Sequence, residues 1–103
     1  MSAALTIDTA RNTDGSVTVV ACGEVDLSNV EAFQRVLAGA ADSAPAALVV
    51  DLSGVEYVDS AGINVLFGLR DHIDKVVAHP LLMTTFTVSG LTELTTVEPA
   101  AER

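Results

Sequence analysis

The chain has 103 residues, half of them hydrophobic, with 14 acidic side chains against 5 basic ones and a formal net charge of −9. This composition predicts a globular protein with one domain, residues 1–103, and excludes a disordered chain. The acidic balance disfavours direct binding to DNA, RNA or an anionic membrane surface, and no apolar run approaches the roughly 18 residues of a membrane span. The lone cysteine, Cys22, and the absence of a secretory pattern in the first ten residues predict a cytoplasmic protein.

The first predicted elements are two strands joined by a tight turn. Leu5, Ile7 and Thr9 alternate with residues of the opposite face, and residues 16–22 form an apolar run that is typical of a central strand. The sequence Asp-Gly at residues 14–15 is a strong hairpin signal. We therefore expect the two strands to pair antiparallel.

A helix and a third strand are predicted next. Ser28 and Glu31 have the spacing of a capping box, a stripe of apolar residues follows at helical spacing, and the sequence Ser-Ala-Pro at residues 43–45 ends the helix. Residues 47–52 form an apolar strand, and residues 51–54, Asp-Leu-Ser-Gly, are typical of a turn. A strand, a helix and a strand of these lengths predict a right-handed unit with parallel strands.

The chain changes from strand-like to helical spacing at residues 59–62, Asp-Ser-Ala-Gly. Asp59 and Ser60 are both favourable N-cap residues, and the apolar spacing after them predicts a helix over residues 60–77. A serine hydroxyl at a helix N-terminus is exposed where negative charge is tolerated. The parallel unit brings Asp26, which follows the second strand, to the same edge of the sheet as Asp59 and Ser60.

Two motifs give the chain a resemblance to the STAS domain of bacterial anti-sigma-factor antagonists. Asp59, Ser60, Ala61 and Gly62 match the D-S-[SA]-G tetrapeptide of that family, and residues 23–26 match its G-E-[VL]-D motif. The resemblance covers about residues 4–97. It implies an α/β fold: a single STAS-like domain with a mixed β-sheet of about four strands and helices packed on it.

The C-terminal part departs from the family pattern. In an alignment without gaps, residues 81–88 become the fourth strand, residues 89–94 begin a weak third helix, and the C-terminal part is shortened relative to the family. An apolar face left uncovered in this way would allow a weak homodimer in place of a monomer. The alternative alignment puts a strand at residues 75–78, a helix at 81–89 and a strand at 92–97, and we prefer the ungapped version.

The resemblance also implies a function as an anti-sigma-factor antagonist. Its partner would be an ATP-dependent anti-sigma factor kinase that phosphorylates Ser60, with a PP2C-type phosphatase as a further candidate partner. Unmodified protein would bind the kinase and free a sigma factor, and phosphorylation would end binding. The implied partner-facing residues, of which Asp26 and Asp59 are expected to be exposed, are Asp26, Asp59, Ser60, Gly62, Ile63 and Asn64. The alternative is a STAS subunit of another assembly, such as a stress-signalling scaffold or a lipid-transport complex, without a phosphoswitch.

Enzymatic use of Ser60, for example in a small hydrolase, is disfavoured. A serine nucleophile needs a base within hydrogen-bond reach, and the chain has only His72 and His79, neither in a nucleophile motif. One cysteine and two histidines do not make a metal-ligand set, and no glycine-rich phosphate loop is present. We therefore expect no enzymatic activity, no metal and no cofactor.

Overall fold

The computed structural model describes residues 4–43 and 45–100. Five strands form one sheet in the order β1-β2-β3-β4-β5. The elements are β1 (Thr6–Arg11), β2 (Val17–Val25), α1 (Val30–Asp42), β3 (Leu48–Val58), α2 (Ser60–Gly68), a 3₁₀ turn (Arg70–His72), β4 (Lys75–Ala78), α3 (Pro80–Ser89), α4 (Leu91–Leu94) and β5 (Val97–Pro99). The predicted α/β class with a mixed sheet is confirmed, and the sheet has five strands, not about four.

The predicted hairpin is confirmed. β1 pairs with β2 antiparallel, with Arg11 opposite Val17, whereas the other three pairs of neighbouring strands are parallel. In the hairpin turn Asp14 Oδ1 accepts hydrogen bonds from the Ser16 hydroxyl at 2.6 Å and the Ser16 amide at 2.9 Å. These two hydrogen bonds, the one from the hydroxyl above all, hold the pKa of Asp14 below its ordinary value.

The helices cover one face of the sheet. The crossovers β2-α1-β3, β3-α2-β4 and β4-α3-β5 all step in the same direction, so right-handed connections place these helices on the same side. Alternate strand residues on that side are buried, and they form one core with side chains of the helices. The core includes Val17, Val19, Ala21, Phe33, Leu37, Leu48, Val50, Leu52, Leu66, Val76, Ala78 and Phe86.

The turn predicted at residues 51–54 is wrong, because β3 continues through it to Val58. The register between β2 and β3 shifts between Val20 and Cys22 and again between Gly23 and Glu24. A Cβ atom at Gly54 would lie 2.7 Å from the Cys22 Sγ atom of the neighbouring strand. Gly54 therefore permits close approach of two irregular strands and does not reverse the chain.

The helix predicted over residues 60–77 begins at Ser60 as expected, but its predicted end is wrong. α2 ends at Gly68, and β4 occupies Lys75–Ala78. A short apolar run fits either a helix face or a strand, and periodicity alone does not separate the two. Pairing with β3 decides the outcome here, since Val76 lies opposite Val50 and both are fully buried.

The strand predicted over residues 81–88 is a helix, α3. His79 caps it, its Nδ1 accepting a hydrogen bond from the Leu81 amide at 3.0 Å, and Pro80 occupies the first turn. Gly90 ends it in the left-handed conformation with φ of 89°. These end signals outweigh the strand propensity of the residues between them.

A fifth strand, which the ungapped alignment leaves out, is present in the structure. α4 follows α3, and β5 at Val97–Pro99 pairs parallel with β4. The alternative alignment, with a strand, a helix and a strand after the second helix, is the better one, although its last strand begins later than expected. The choice between a monomer and a weak homodimer stays a prediction.

Candidate functional site

Two turns lie side by side at the carboxyl ends of β2 and β3. Val25 and Val58 are register partners on these strands, and Asp26 and Asp59 follow them directly. The Asp59 amide donates a hydrogen bond to the Val25 carbonyl oxygen at 3.1 Å. The structure therefore brings the two sequence motifs to one edge of the sheet, here called the rim and comprising residues 26–29 and 59–64.

The turn between β3 and α2 holds an exposed serine at the start of a helix. Asp59 is the N-cap, and its Oδ1 accepts hydrogen bonds from the amides of Ala61 at 3.0 Å and Gly62 at 3.2 Å. Ser60 is the first residue of α2 and is exposed. Within residues 4–43 and 45–100 no hydrogen bond engages its hydroxyl. The hydroxyl is therefore free to react at a position where the helix dipole favours negative charge.

Gly62 is buried and fixes the start of α2 against both strands. A Cβ atom there would lie 2.6 Å from Val58 Cγ1 and 2.8 Å from Val25 Cγ1. Ile63 is half-buried and packs against the core, whereas Asn64 is exposed one turn after Ser60. Gly62 thus acts in packing, and Ser60 and Asn64 offer the accessible side chains of this turn.

The turn between β2 and α1 is closed by its own side chains. Asp26 Oδ1 accepts hydrogen bonds from the amide and the hydroxyl of Ser28. Asn29 Oδ1 accepts from the Asp26 amide at 3.0 Å, and its Nδ2 donates to the Glu24 carbonyl oxygen at 2.9 Å. The turn is therefore held from both sides, by a carboxylate and by an amide.

These contacts correct two expectations. The capping box of Ser28 and Glu31 is not formed: Asn29 is the N-cap of α1 and makes no side-chain cap bond, because its amide group binds back to the strand. Asp26 and Asp59 are half-buried and not exposed, since each carboxylate bonds to its own turn. Both therefore contribute to the fold of the rim.

Three residues in or beside the rim were missed in the sequence. Leu27 is 79% exposed between Asp26 and Ser28, and Tyr57 is 49% exposed just before the β3–α2 turn. Asn29 holds the β2–α1 turn. An apolar residue inside a polar predicted loop was the available signal for Leu27.

The described residues near Ser60 do not form a hydrolytic site. His72 lies exposed on the 3₁₀ turn, and His79 caps α3 after Ala78, which pairs with Leu52. Leu52 precedes Val58 by six residues on β3, or roughly 20 Å of strand. No group of three metal-ligating side chains occurs in the part of the chain that the structure describes.

Comparison with known structures finds the same fold in other proteins. An anti-sigma factor antagonist from Mycobacterium paratuberculosis is similar with a TM-score of 0.85 and 26% identity, over 94% of this chain and 87% of that one. The unphosphorylated form of the anti-sigma factor antagonist SpoIIAA is similar with a TM-score of 0.71 and 19% identity, over 94% and 90% of the two chains. The phosphorylated form of SpoIIAA from Bacillus has a TM-score of 0.66 at 18% identity, over 94% and 93%. The two SpoIIAA structures show the fold alone.

Comparison of the sequence identifies the family. No curated protein matches the chain. Across residues 4–43 and 45–100, none of the helices has the length and apolarity needed to cross a membrane. The family model described as "Mlab, STAS domain" matches residues 9–96, which is most of the chain. The chain therefore belongs to the STAS domain family.

Proposed function

We propose that this chain is an anti-sigma-factor antagonist that binds an anti-sigma factor kinase while Ser60 is unmodified and releases it once Ser60 is phosphorylated. The observation that carries the proposal is the exposed Ser60 hydroxyl, free of hydrogen bonds to the described residues and placed at the first position of α2. The likeness to the antagonist from Mycobacterium paratuberculosis, at 26% identity and a TM-score of 0.85, supports it.

The rim is the proposed binding surface. Leu27 and Tyr57 offer exposed apolar area in and beside the rim, to which Ser60 and Asn64 add exposed polar side chains. The carboxylates of Asp26 and Asp59 are half-buried in its two turns. A net charge of −9 steers a basic partner surface toward the chain. Residues 1–103 act as one domain, and transcription rises through the freed sigma factor without contact between this chain and DNA.

Phosphorylation acts on the interface and leaves the fold nearly unchanged. A phosphate adds about −1.5 to −2 charges, and the dipole of α2 favours that charge by roughly 0.3–1 kcal/mol at an exposed site. Asp59 opposes it by repulsion and already occupies the Ala61 and Gly62 amides. In the complex an unpaired phosphate must lose its water, at a cost of several kcal/mol that lowers the affinity by orders of magnitude. A PP2C-type phosphatase would restore binding.

Capture of the partner tests the function. The unmodified protein and Ser60→Glu are immobilised and exposed to cell lysate, and retained proteins are identified by mass spectrometry. We expect the unmodified protein to retain a protein kinase of the anti-sigma class and Ser60→Glu to retain less of it. Ser28→Ala is the matched control, because Ser28 is the rim serine whose hydroxyl is already bound to Asp26. Equal capture by the unmodified protein and Ser60→Glu would contradict the phosphoswitch.

A second candidate function is a subunit of another assembly without a phosphoswitch. It is favoured by the description of the matching family model, which names Mlab and not an antagonist. In that case the captured proteins form a complex without a kinase, and Ser60→Glu captures them as well as the unmodified protein does. The same experiment therefore separates the two functions.

A further inference from the structure

A groove lies between β1 and the C-terminal half of α1. Its volume is about 340 Å³, and it is lined by Thr9, Arg11, Val17, Arg35, Val36, Gly39, Ala40 and Ser43. The start of β2 borders the groove and the end of β2 borders the rim, so the two surfaces lie at opposite ends of the strand. A volume of this size is at the lower end of the range of small-molecule sites, about 300–1,000 Å³.

Apart from Val17 of β2, the residues that line the groove lie on one face of α1 and on one face of β1. One face of α1 carries Val36, Gly39 and Ala40, with Ser43 as its C-cap, three and four residues apart from one turn to the next. Thr9 and Arg11 face the helices, because their register partners Val19 and Val17 are buried on that side of the sheet. No atom lies within 4 Å of a Cβ built on Gly39, so the groove is open at this point.

Two of the five basic residues of the chain, Arg11 and Arg35, line this groove. Over residues 4–43 and 45–100 the recorded ion pair is Lys75 with Glu98 at 3.6 Å, and it involves neither arginine. Glu31 lies one turn before Arg35, at the spacing of a favourable helix pair, yet no ion pair joins them. Both guanidinium groups thus remain available in a chain with 14 acidic side chains.

We propose that this groove binds a small amphipathic anion, a monocarboxylate or a phosphate monoester with a short apolar tail. The planar guanidinium fork matches carboxylate and phosphate oxygens, and Val17, Val36 and Ala40 provide an apolar wall for the tail. The site is independent of Ser60 and of the function proposed for the rim.

Size and charge favour a small ligand over a macromolecule. A stable protein interface takes about 800 Å² from each partner, far more than one groove of this volume offers. An acidic protein or an anionic bilayer would meet the repulsion of the net charge of −9 over a wide surface. A single small anion is screened from the distant carboxylates and interacts mainly with the two adjacent arginines.

The test is a titration followed by ¹⁵N-resolved NMR. Octanoate and octyl phosphate, each below its micelle-forming concentration, are added to the protein, with octanol and inorganic phosphate as probes that have only the tail or only the anion. We expect saturable shifts at Arg11, Arg35 and Gly39 with at least one amphipathic anion, at about tenfold higher affinity than with either partial probe. The stronger of the two anions identifies the head group.

Matched variants locate the site. Arg11→Gln and Arg35→Gln should each weaken binding about tenfold, as expected for the loss of a charged hydrogen bond. Gly39→Leu should fill the groove and abolish saturation, whereas Gly68→Leu, at an equally open and exposed helical glycine, should leave binding unchanged. The proposal is overturned if octanol or phosphate binds as tightly as the anions, if Gly39→Leu binds normally, or if the protein sediments with anionic vesicles and ignores the monomeric probes.

Discussion

The two turns of the rim begin alike and end differently. Each starts with valine and aspartate at the end of a parallel strand, at Val25 and at Val58. In the β3–α2 turn the carboxylate of Asp59 accepts hydrogen bonds from two helix amides, and α2 begins at the next residue, Ser60. In the β2–α1 turn the carboxylate of Asp26 is bound by Ser28, and α1 begins only at Val30.

The residues two and three positions after each aspartate differ between the turns, and so does the state of the serine hydroxyl. Gly62 lets α2 start in contact with both strands, which leaves Ser60 at the tip of the helix. In the other turn the side chains of Ser28 and Asn29 hydrogen-bond to Asp26, and that of Asn29 also to the Glu24 carbonyl oxygen. The rim thus carries two serines, Ser28 with a hydroxyl hydrogen-bonded to Asp26 and Ser60 with a hydroxyl that bonds to no described residue. Ser28 is therefore the internal control for experiments on Ser60.

The largest effect on the rim is expected from Gly62→Ala. The added Cβ would lie under 3 Å from Val58 and Val25, and overpacking of this kind lowers the free energy of unfolding by about 1–3 kcal/mol. Gly68→Ala is the control, because its site is open and alanine is favoured in a helix by about 0.5–1 kcal/mol. Urea unfolding measures both, and equal stabilities would show that Gly62 does not set the start of α2.

The second-largest effect is expected at Asp59, and it should distinguish the structural role of Asp59 from that of Asp26. Asp59→Ala removes the N-cap of α2 and should cost about 0.5–2 kcal/mol of unfolding free energy, whereas Asp59→Asn should retain most of it. Amide hydrogen exchange should rise at Ala61 and Gly62 in Asp59→Ala and stay unchanged there in Asp26→Ala, since the recorded hydrogen bonds of the Asp26 carboxylate come from Ser28. Faster exchange at these amides in Asp26→Ala would mean that the two turns are not independent.

The smallest effect concerns the serines themselves. Ser60→Ala should change the unfolding free energy by no more than about 0.5 kcal/mol, because no hydrogen bond to a described residue is lost. Ser28→Ala removes the hydroxyl bond to Asp26 and should cost about 0.5–1.5 kcal/mol. Thermal melts of the two variants measure the difference, and a larger loss for Ser60→Ala would contradict a free hydroxyl.

The sequence predicts that the β2–α1 and β3–α2 turns lie side by side. It does not predict the hydrogen bonds within each turn. The β2-α1-β3 unit has one right-handed solution, which places Asp26 and Asp59 on the same edge. Ser28 has the spacing of a capping box, but the carboxylate two residues earlier competes for its hydroxyl. Whether the Ser28 side chain caps the helix or bonds to Asp26 depends on the backbone conformation of the turn, which the residue types alone do not determine.

The C-terminal third was mispredicted for a different reason. Val76 and Val77 continue the helical spacing of α2, yet they pair with β3, and no local signal except Gly68 marks the change. For α3 the signals were present, since Pro80 at the start and Gly90 at the end are typical helix boundaries. The residues between Pro80 and Gly90 have strand propensity, and the boundary signals outweigh it.

The central claim, that the free hydroxyl of Ser60 is the switch, is tested most directly by affinity. The captured kinase is titrated calorimetrically with unmodified protein and with protein phosphorylated at Ser60, and Ser60→Ala treated with the same kinase and ATP is the control. We predict that phosphorylation weakens binding about 100-fold or more, because an unpaired charge in the interface costs several kcal/mol. The control should bind like unmodified protein, and both forms should melt cooperatively. Equal affinities of the phosphorylated and unmodified forms, or phosphorylation at Ser28 in place of Ser60, would contradict the claim.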